Sequence, residues 1–214
     1  MKFKIIPSPH RPSRGKFPSL KNASSVKCAS ALEMDMVYLL ELDPDVISYK
    51  TQPFKLHYLL DKKLHVYTPD ILVTRTDRKQ IVEVKWSERA ETEKYILLFK
   101  TVAPLFESKG CEYIVATEKT IRIEPKLYNI KLLYKYSRTP ISYNDQTALY
   151  RFFRDRKEAT FGEIESLFAS HSRQKQLVYA LVCWGVLALD INQNITPDTI
   201  VRLSVTDDVK GALA

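Results

Sequence analysis

The chain is poor in cysteine and histidine, has no acidic residue before Glu33, and has no long apolar run. Cys28, Cys111 and Cys183 are odd in number, far apart and in no paired spacing. That pattern argues against a disulfide framework or a zinc site and for reduced thiols in a cytosolic protein. His10, His57, His65 and His171 are equally scattered, so any metal used here is expected to have oxygen ligands. No stretch approaches the unbroken length of a membrane span, and the Lys-rich opening lacks the apolar segment of a signal peptide. A cytoplasmic protein is expected. No internal repeat or low-complexity run appears. With 214 residues, 45% hydrophobic and 27% charged, the chain can bury one good core or two small ones.

The charge is informative by position. Formal net charge is +8, from 33 basic and 25 acidic residues. Seven positives, among them Arg11, Arg14, Lys16, Lys21 and Lys27, precede Glu33, which leaves the remainder with 26 basic against 25 acidic residues. Residues 1–27 therefore read as a basic arm, and Pro7, Pro9, Pro12, Pro18 and Gly15 within it predict an extended, partly disordered segment. It is either a solubilising tail or a phosphate-binding arm that gains affinity by releasing counterions.

After the arm, Leu32, Met36, Leu39 and Leu40 predict a helix that Asp43-Pro44 stops. Strand-like runs follow at Val46–Lys50, Phe54–Leu60, Leu64–Tyr67, Ile71–Thr74 and Ile81–Trp86, then a helical stretch over Glu88–Glu107 and a strand at Tyr113–Thr117. Residues 28–124 thus read as one α/β unit. From Pro125 the pattern turns helical, with helices over Asn144–Asp155, from the Thr160–Glu163 capping box to Phe168, and over Ser172–Trp184. Two strands, Val186–Ile191 and Thr199–Val205, close residues 125–205, and 206–214 form a tail. Three helices and a hairpin predict a winged-helix-like domain, with a three-helix protein-interaction module as the alternative. Arg173 and Lys175, at the start of its third helix, favour nucleic acid.

The stretch QIVEVKW, residues 80–86, alternates so that Ile81, Glu83 and Lys85 share a face. Alone this is an ordinary amphipathic strand with solvated charges. Upstream lies Thr68-Pro69-Asp70-Ile71, an apolar strand entered through an acid. If Thr76 pairs with Lys79 across an Asp77-Arg78 turn, Asp70 falls opposite Lys85, so Asp70, Glu83 and Lys85 converge. Glu33 is a third carboxylate, on a helix whose next positions on that face, Met36, Val37 and Leu40, are apolar. A buried acid needs a partner or a metal. Ser30-Ala31-Leu32-Glu33 is also a capping box, and local sequence leaves both roles open. Such acids are hard oxygen ligands suited to Mg²⁺ or Mn²⁺, and a lysine beside them suits phosphodiester hydrolysis.

Helix-Glu, then Pro-Asp, then Glu-x-Lys is the arrangement of the PD-(D/E)xK nuclease core. The stretches GKFPSLKNASS, ALEMDMVYLLELDPDVISYKTQPFKL, YTPDILV and IVEVKW resemble the TnsA family of transposon endonucleases, from Gly15 to Trp86. The helical tail resembles the family's C-terminal domain more loosely. In the best-known member a Gln stands at the position of Glu83. The resemblance implies a restriction-endonuclease-like mixed sheet flanked by helices. It also implies an active site of Glu33, Asp70, Glu83 and Lys85, with Mg²⁺, Mn²⁺ substituting, as two ions on Glu33, Asp70, Glu83 and the Val84 backbone carbonyl. Gln52, in TQPF, matches a recurring family position that orders the site or touches DNA. Arg11, Arg14, Lys16, Lys21, Gln52, Arg173 and Lys175 are the candidate DNA contacts.

By the same resemblance the chain is a bacterial enzyme that cleaves the 5′ strands at transposon ends. A DDE-type transposase acts on the 3′ ends, and an AAA+ ATPase regulator is engaged through the C-terminal domain. A related restriction or resolvase nuclease, and a non-catalytic DNA-binding adaptor, are the alternatives.

Overall fold

The computed structural model describes residues 3–7, 15–170 and 172–204. The chain divides into two compact units, residues 1–123 and 124–214. No helix among the described residues is long and apolar enough to cross a membrane.

The first unit is built on a mixed sheet of four strands in the order β4 (Val46–Thr51), β7 (Ile71–Arg75), β8 (Lys79–Val84), β9 (Cys111–Ala116). β4, β7 and β8 run antiparallel, whereas β8 and β9 are parallel and are joined by the crossover helix α3 (Glu93–Glu107). The expected helix over 88–107 is broken: a short turn α2 (Ser87–Ala90) precedes α3. β8 is buried from Gln80 to Val84, as a central strand covered on both faces should be. The bland reading of QIVEVKW as a solvated strand therefore fails, because Glu83 is 3% exposed.

α1 (Ala31–Leu42) begins at the Ser30 N-cap and ends at Asp43 in extended backbone, where Pro44 bars another helical turn. It buries Leu32, Val37 and Leu40, and with them Glu33, Asp35 and Glu41. A second sheet, in the order β1 (Phe3–Pro7), β5 (Phe54–Leu60), β6 (Lys63–Tyr67), is antiparallel throughout. Asp61 and Lys62, at φ 49° and 62°, make the two-residue turn between β5 and β6 that matches strand twist. Leu56, Tyr58 and Tyr67 of this sheet form a core with Ile81 and with Val102 and Phe106 of α3.

Residues 15–28 correct the reading of 1–27 as an extended, partly disordered arm. They form a hairpin, β2 (Gly15–Ser19) with β3 (Ser24–Cys28). Phe17, Val26 and Cys28 are buried, and the Phe17 ring meets Tyr38 of α1 edge-on at 4.8 Å. Phe3–Pro7 is a strand as well, whereas Arg11 and Arg14 lie outside the described residues.

In the second unit a helix the sequence reading missed, α5 (Lys126–Lys135), comes after the short turn α4 (Glu118–Ile121) of the first unit. Then follow α6 (Tyr143–Phe153), β10 (Ala159–Thr160), α7 (Phe161–Leu167), α8 (Gln174–Cys183), β11 (Leu187–Leu189) and β12 (Ile200–Leu203). Its three short strands form an antiparallel sheet in the order β10, β12, β11. The expected Thr160–Glu163 capping box forms, and Ser142 makes another with Asp145. Leu149, Ile164, Val178, Leu181 and Val201 are fully buried.

Candidate active site

The expected pairing of Asp70 with Lys85 is corrected by the β7–β8 register. Thr74, not Thr76, lies opposite Lys79, because the turn takes four residues and closes with Arg75 N–H on the Arg78 carbonyl at 2.8 Å. The shift is two residues, so faces are preserved: one step beyond Ile71 opposite Val82, Asp70 meets Glu83. Asp70 is fixed from both sides. Its carbonyl accepts the Gln52 N–H at 2.7 Å, and its Oδ2 accepts the Val84 N–H at 2.8 Å.

Glu83 is held equally firmly. Its Oε1 is 3.0 Å from the Lys85 Nζ, and its Oε2 accepts the Tyr67 hydroxyl. That hydroxyl is in turn 3.0 Å from the hydroxyl of Tyr113. Burial, with the Glu83 charge next, pushes the Asp70 carboxyl up to about 7. Burial alone would lower the Lys85 ammonium, but Glu83 and then Asp70 hold it above its ordinary value. Burial and then Glu83 also raise both tyrosines, so their hydroxyls stay protonated donors. Lys85 further lies over the Tyr95 ring, 5.1 Å from its centroid.

Glu33 closes the cap of its own helix. Its Oε2 accepts the Ala29 N–H at 2.9 Å and its Oε1 accepts the Ser30 hydroxyl at 3.1 Å, while Ser30 Oγ accepts the Glu33 N–H at 3.1 Å. It nevertheless lines a cleft of about 780 Å³ together with Val84 and Lys85. Glu33 also adds to the upward push on Asp70, so the three carboxylates share one electrostatic environment. Trp86 and Arg89 line the same cleft. Arg122 stacks on the Trp86 ring at 5.0 Å while its Nε holds the buried Asp35 at 2.7 Å.

Among the described residues, no three His, Cys, Asp or Glu side chains already stand together as a metal-holding set. The donor chemistry still fits a hard divalent cation: among the described residues, two adjacent acids, Asp70 and Glu83, share the Lys85 ammonium beside a cleft.

The candidate DNA contacts separate. Lys16 is exposed on the hairpin, and Arg173 and Lys175 are exposed at the start of α8. Lys21 is corrected: its ammonium is held by the Asp43 and Val46 carbonyls, the second at 2.5 Å, where the chain passes from α1 into β4. Gln52 sits at φ 45° in a turn, and its contribution to the site runs through its backbone N–H on Asp70. Tyr67 and Tyr113 were missed. Tyr113 shares a face with Glu83 only once β9 pairs beside β8, and Tyr67 comes from the second sheet.

A mixed sheet with Asp70, Glu83 and Lys85 at the ends of adjacent strands is compatible with a nuclease-like fold. Residues 43–118 match the family model of the TnsA-like endonuclease N terminal, so this segment is similar to that family. The match spans Gln52, Asp70, Glu83 and Lys85, and Glu33 precedes it. No curated protein matches the chain.

Proposed function

We propose that the protein is a Mg²⁺-dependent DNA endonuclease that cuts the 5′ strands at transposon ends, beside a DDE-type transposase and an AAA+ ATPase regulator, in the bacterial cytoplasm. The observation that carries this reading is the buried Asp70–Glu83–Lys85 cluster, which lies within a TnsA-like segment. Asp70 and Glu83 would hold the cation, joined by the Val84 carbonyl and by Glu33 once its carboxylate leaves the cap. When bound, Mg²⁺ or Mn²⁺, as two ions, supplies Lewis acidity toward the scissile phosphate and a more acidic water. Lys85 keeps a fixed positive charge beside the reacting phosphate, where negative charge develops. The Tyr67 hydroxyl and the Lys85 ammonium each take one oxygen of Glu83 and fix its orientation.

The second unit supports a winged-helix reading through its order of helix, strand, two helices and hairpin, with the short strand pairing onto the hairpin. Arg173 and Lys175 at the start of α8 are then its DNA contacts, and its other surfaces serve the ATPase.

A DNA-binding adaptor without catalysis is the second reading, favoured by the engagement of Glu33 in the α1 cap. One experiment separates the two: cleavage of a duplex carrying transposon ends, with Mg²⁺ and with and without partner proteins. Wild type should cut 5′ strands, and Asp70→Ala should lose cleavage while keeping fold and DNA binding. Equal cleavage by that variant would refute the nuclease assignment.

A further inference from the structure

A second groove, of about 700 Å³, lies between the β2–β3 hairpin and strands β4 and β7. Its lining has no acidic side chain, although the chain carries 25 acids. Hydroxyls dominate instead, from Ser24, Ser25, Ser48, Thr51 and Thr74. Two lysines, Lys27 and Lys50, complete it, both exposed and without an ion pair among the described residues. The Thr51 hydroxyl donates to the Lys27 carbonyl at 2.8 Å, which ties the hairpin to β4 and keeps the two lysines neighbours.

The charges on the hairpin favour an anion there. Lys16 stands directly opposite Lys27 on the hairpin, so like charges share one face and repel.

Position says which anion. Lys50 pairs with Leu72 and Ser48 with Thr74, so these four residues share one face of the sheet. Carrying the alternation of β7 back one residue adds Asp70 to that face. From Asp70 to Thr74 is about 13 Å along the strand. Asp70 and the groove thus lie toward two ends of one sheet face, with Leu72 packed against the core around Ile81 between them.

We propose that this groove binds the DNA phosphodiester backbone to one side of the cut, with Lys27 and Lys50 as charge contacts and the Ser and Thr hydroxyls as donors. This inference rests on the nuclease reading. Contacts of this kind position a duplex without reading its bases.

The test is fluorescence anisotropy of the full chain with a labelled duplex in EDTA, at several salt concentrations. Lys27→Ala/Lys50→Ala should weaken binding about tenfold or more at low salt and reduce the salt slope by about 2, with an unchanged melting temperature. Lys63→Ala/Lys100→Ala removes two exposed lysines elsewhere on the same unit and should change binding much less. A slope and affinity equal to wild type, or an equal loss in both double variants, would overturn the proposal. The two readings fail separately. If the groove is wrong, Asp70→Ala still abolishes cleavage while Lys27→Ala/Lys50→Ala keeps the wild-type slope; if the nuclease is wrong, Asp70→Ala matches wild type in cutting or not cutting while the slope of the lysine variant falls.

Discussion

Two of the carboxylate nodes buried in the first unit differ in character. Glu41 takes the Ser19 and Tyr49 hydroxyls at 2.5 and 2.6 Å and the Leu20 N–H at 3.0 Å. Every donor is neutral and belongs to an element that the contact fastens to α1, namely the β2–β3 hairpin and β4. Asp70 and Glu83 instead lie beside one another with Lys85 as their one close cation among the described residues, next to a cleft. Glu41 is a brace whose needs the fold meets. In the other node a second acid is left to be neutralised by a proton or by a bound cation. Burial of an acid alone does not mark a site; burial beside a second acid does.

Rate separates the nodes most widely. Lys85→Ala should lower strand cleavage by roughly 10²–10³ in an oligonucleotide assay with Mg²⁺, and Lys85→Arg should restore little because a guanidinium lacks the compact shape. Glu41→Ala should leave the rate of the folded fraction unchanged. Its effect falls on stability, about 2–4 kcal/mol from the stranded Ser19 and Tyr49 hydroxyls, read as a lower urea midpoint. The reverse pattern, a slow Glu41 variant or an unstable but fully active Lys85 variant, would erase the distinction.

A pH dependence sharpens it. The Asp70 carboxyl titrates near 7 in the folded chain against 3.8 ordinarily. A raised acid contributes stability that is complete below the unfolded value and is lost as pH rises through the folded one. Asp70→Asn should therefore raise the metal-free melting temperature by several degrees at pH 8 and change it little at pH 4. Equal effects at both pH values would remove the charge argument.

The smallest effect concerns Cys28, whose thiol burial, and then Glu33, push up to about 12. A disulfide reagent at pH 8 should label Cys111 and Cys183 first and Cys28 only slowly. Rapid labelling of Cys28 would mean that the end of β3, next to the Glu33 cap, opens readily.

Much of the first unit was legible where one signal dominated. Strand Phe54–Leu60 has the bounds its alternation predicts, and α1 ends where Asp43-Pro44 requires. The β7–β8 face assignment survived a two-residue register error because side chains alternate with period two. The hairpin at 15–28 was hidden because its lysines, Gly15 and Pro18 carry the composition of a loose arm, while its order comes from Phe17 and Val26 packing. Lys21 could not be read as a helix-end ligand, since the carbonyls it holds lie 22 and 25 residues away. Tyr67 and Tyr113 reach Glu83 through strand pairing that no local pattern encodes.

The contrast between the two nodes is tested most directly by Mn²⁺ binding to the full chain, followed by electron paramagnetic resonance. Wild type and Glu41→Gln should bind Mn²⁺ alike, in competition with Mg²⁺, and Asp70→Ala should lose that binding. Undiminished Mn²⁺ binding by Asp70→Ala, or its loss in Glu41→Gln, would contradict the account.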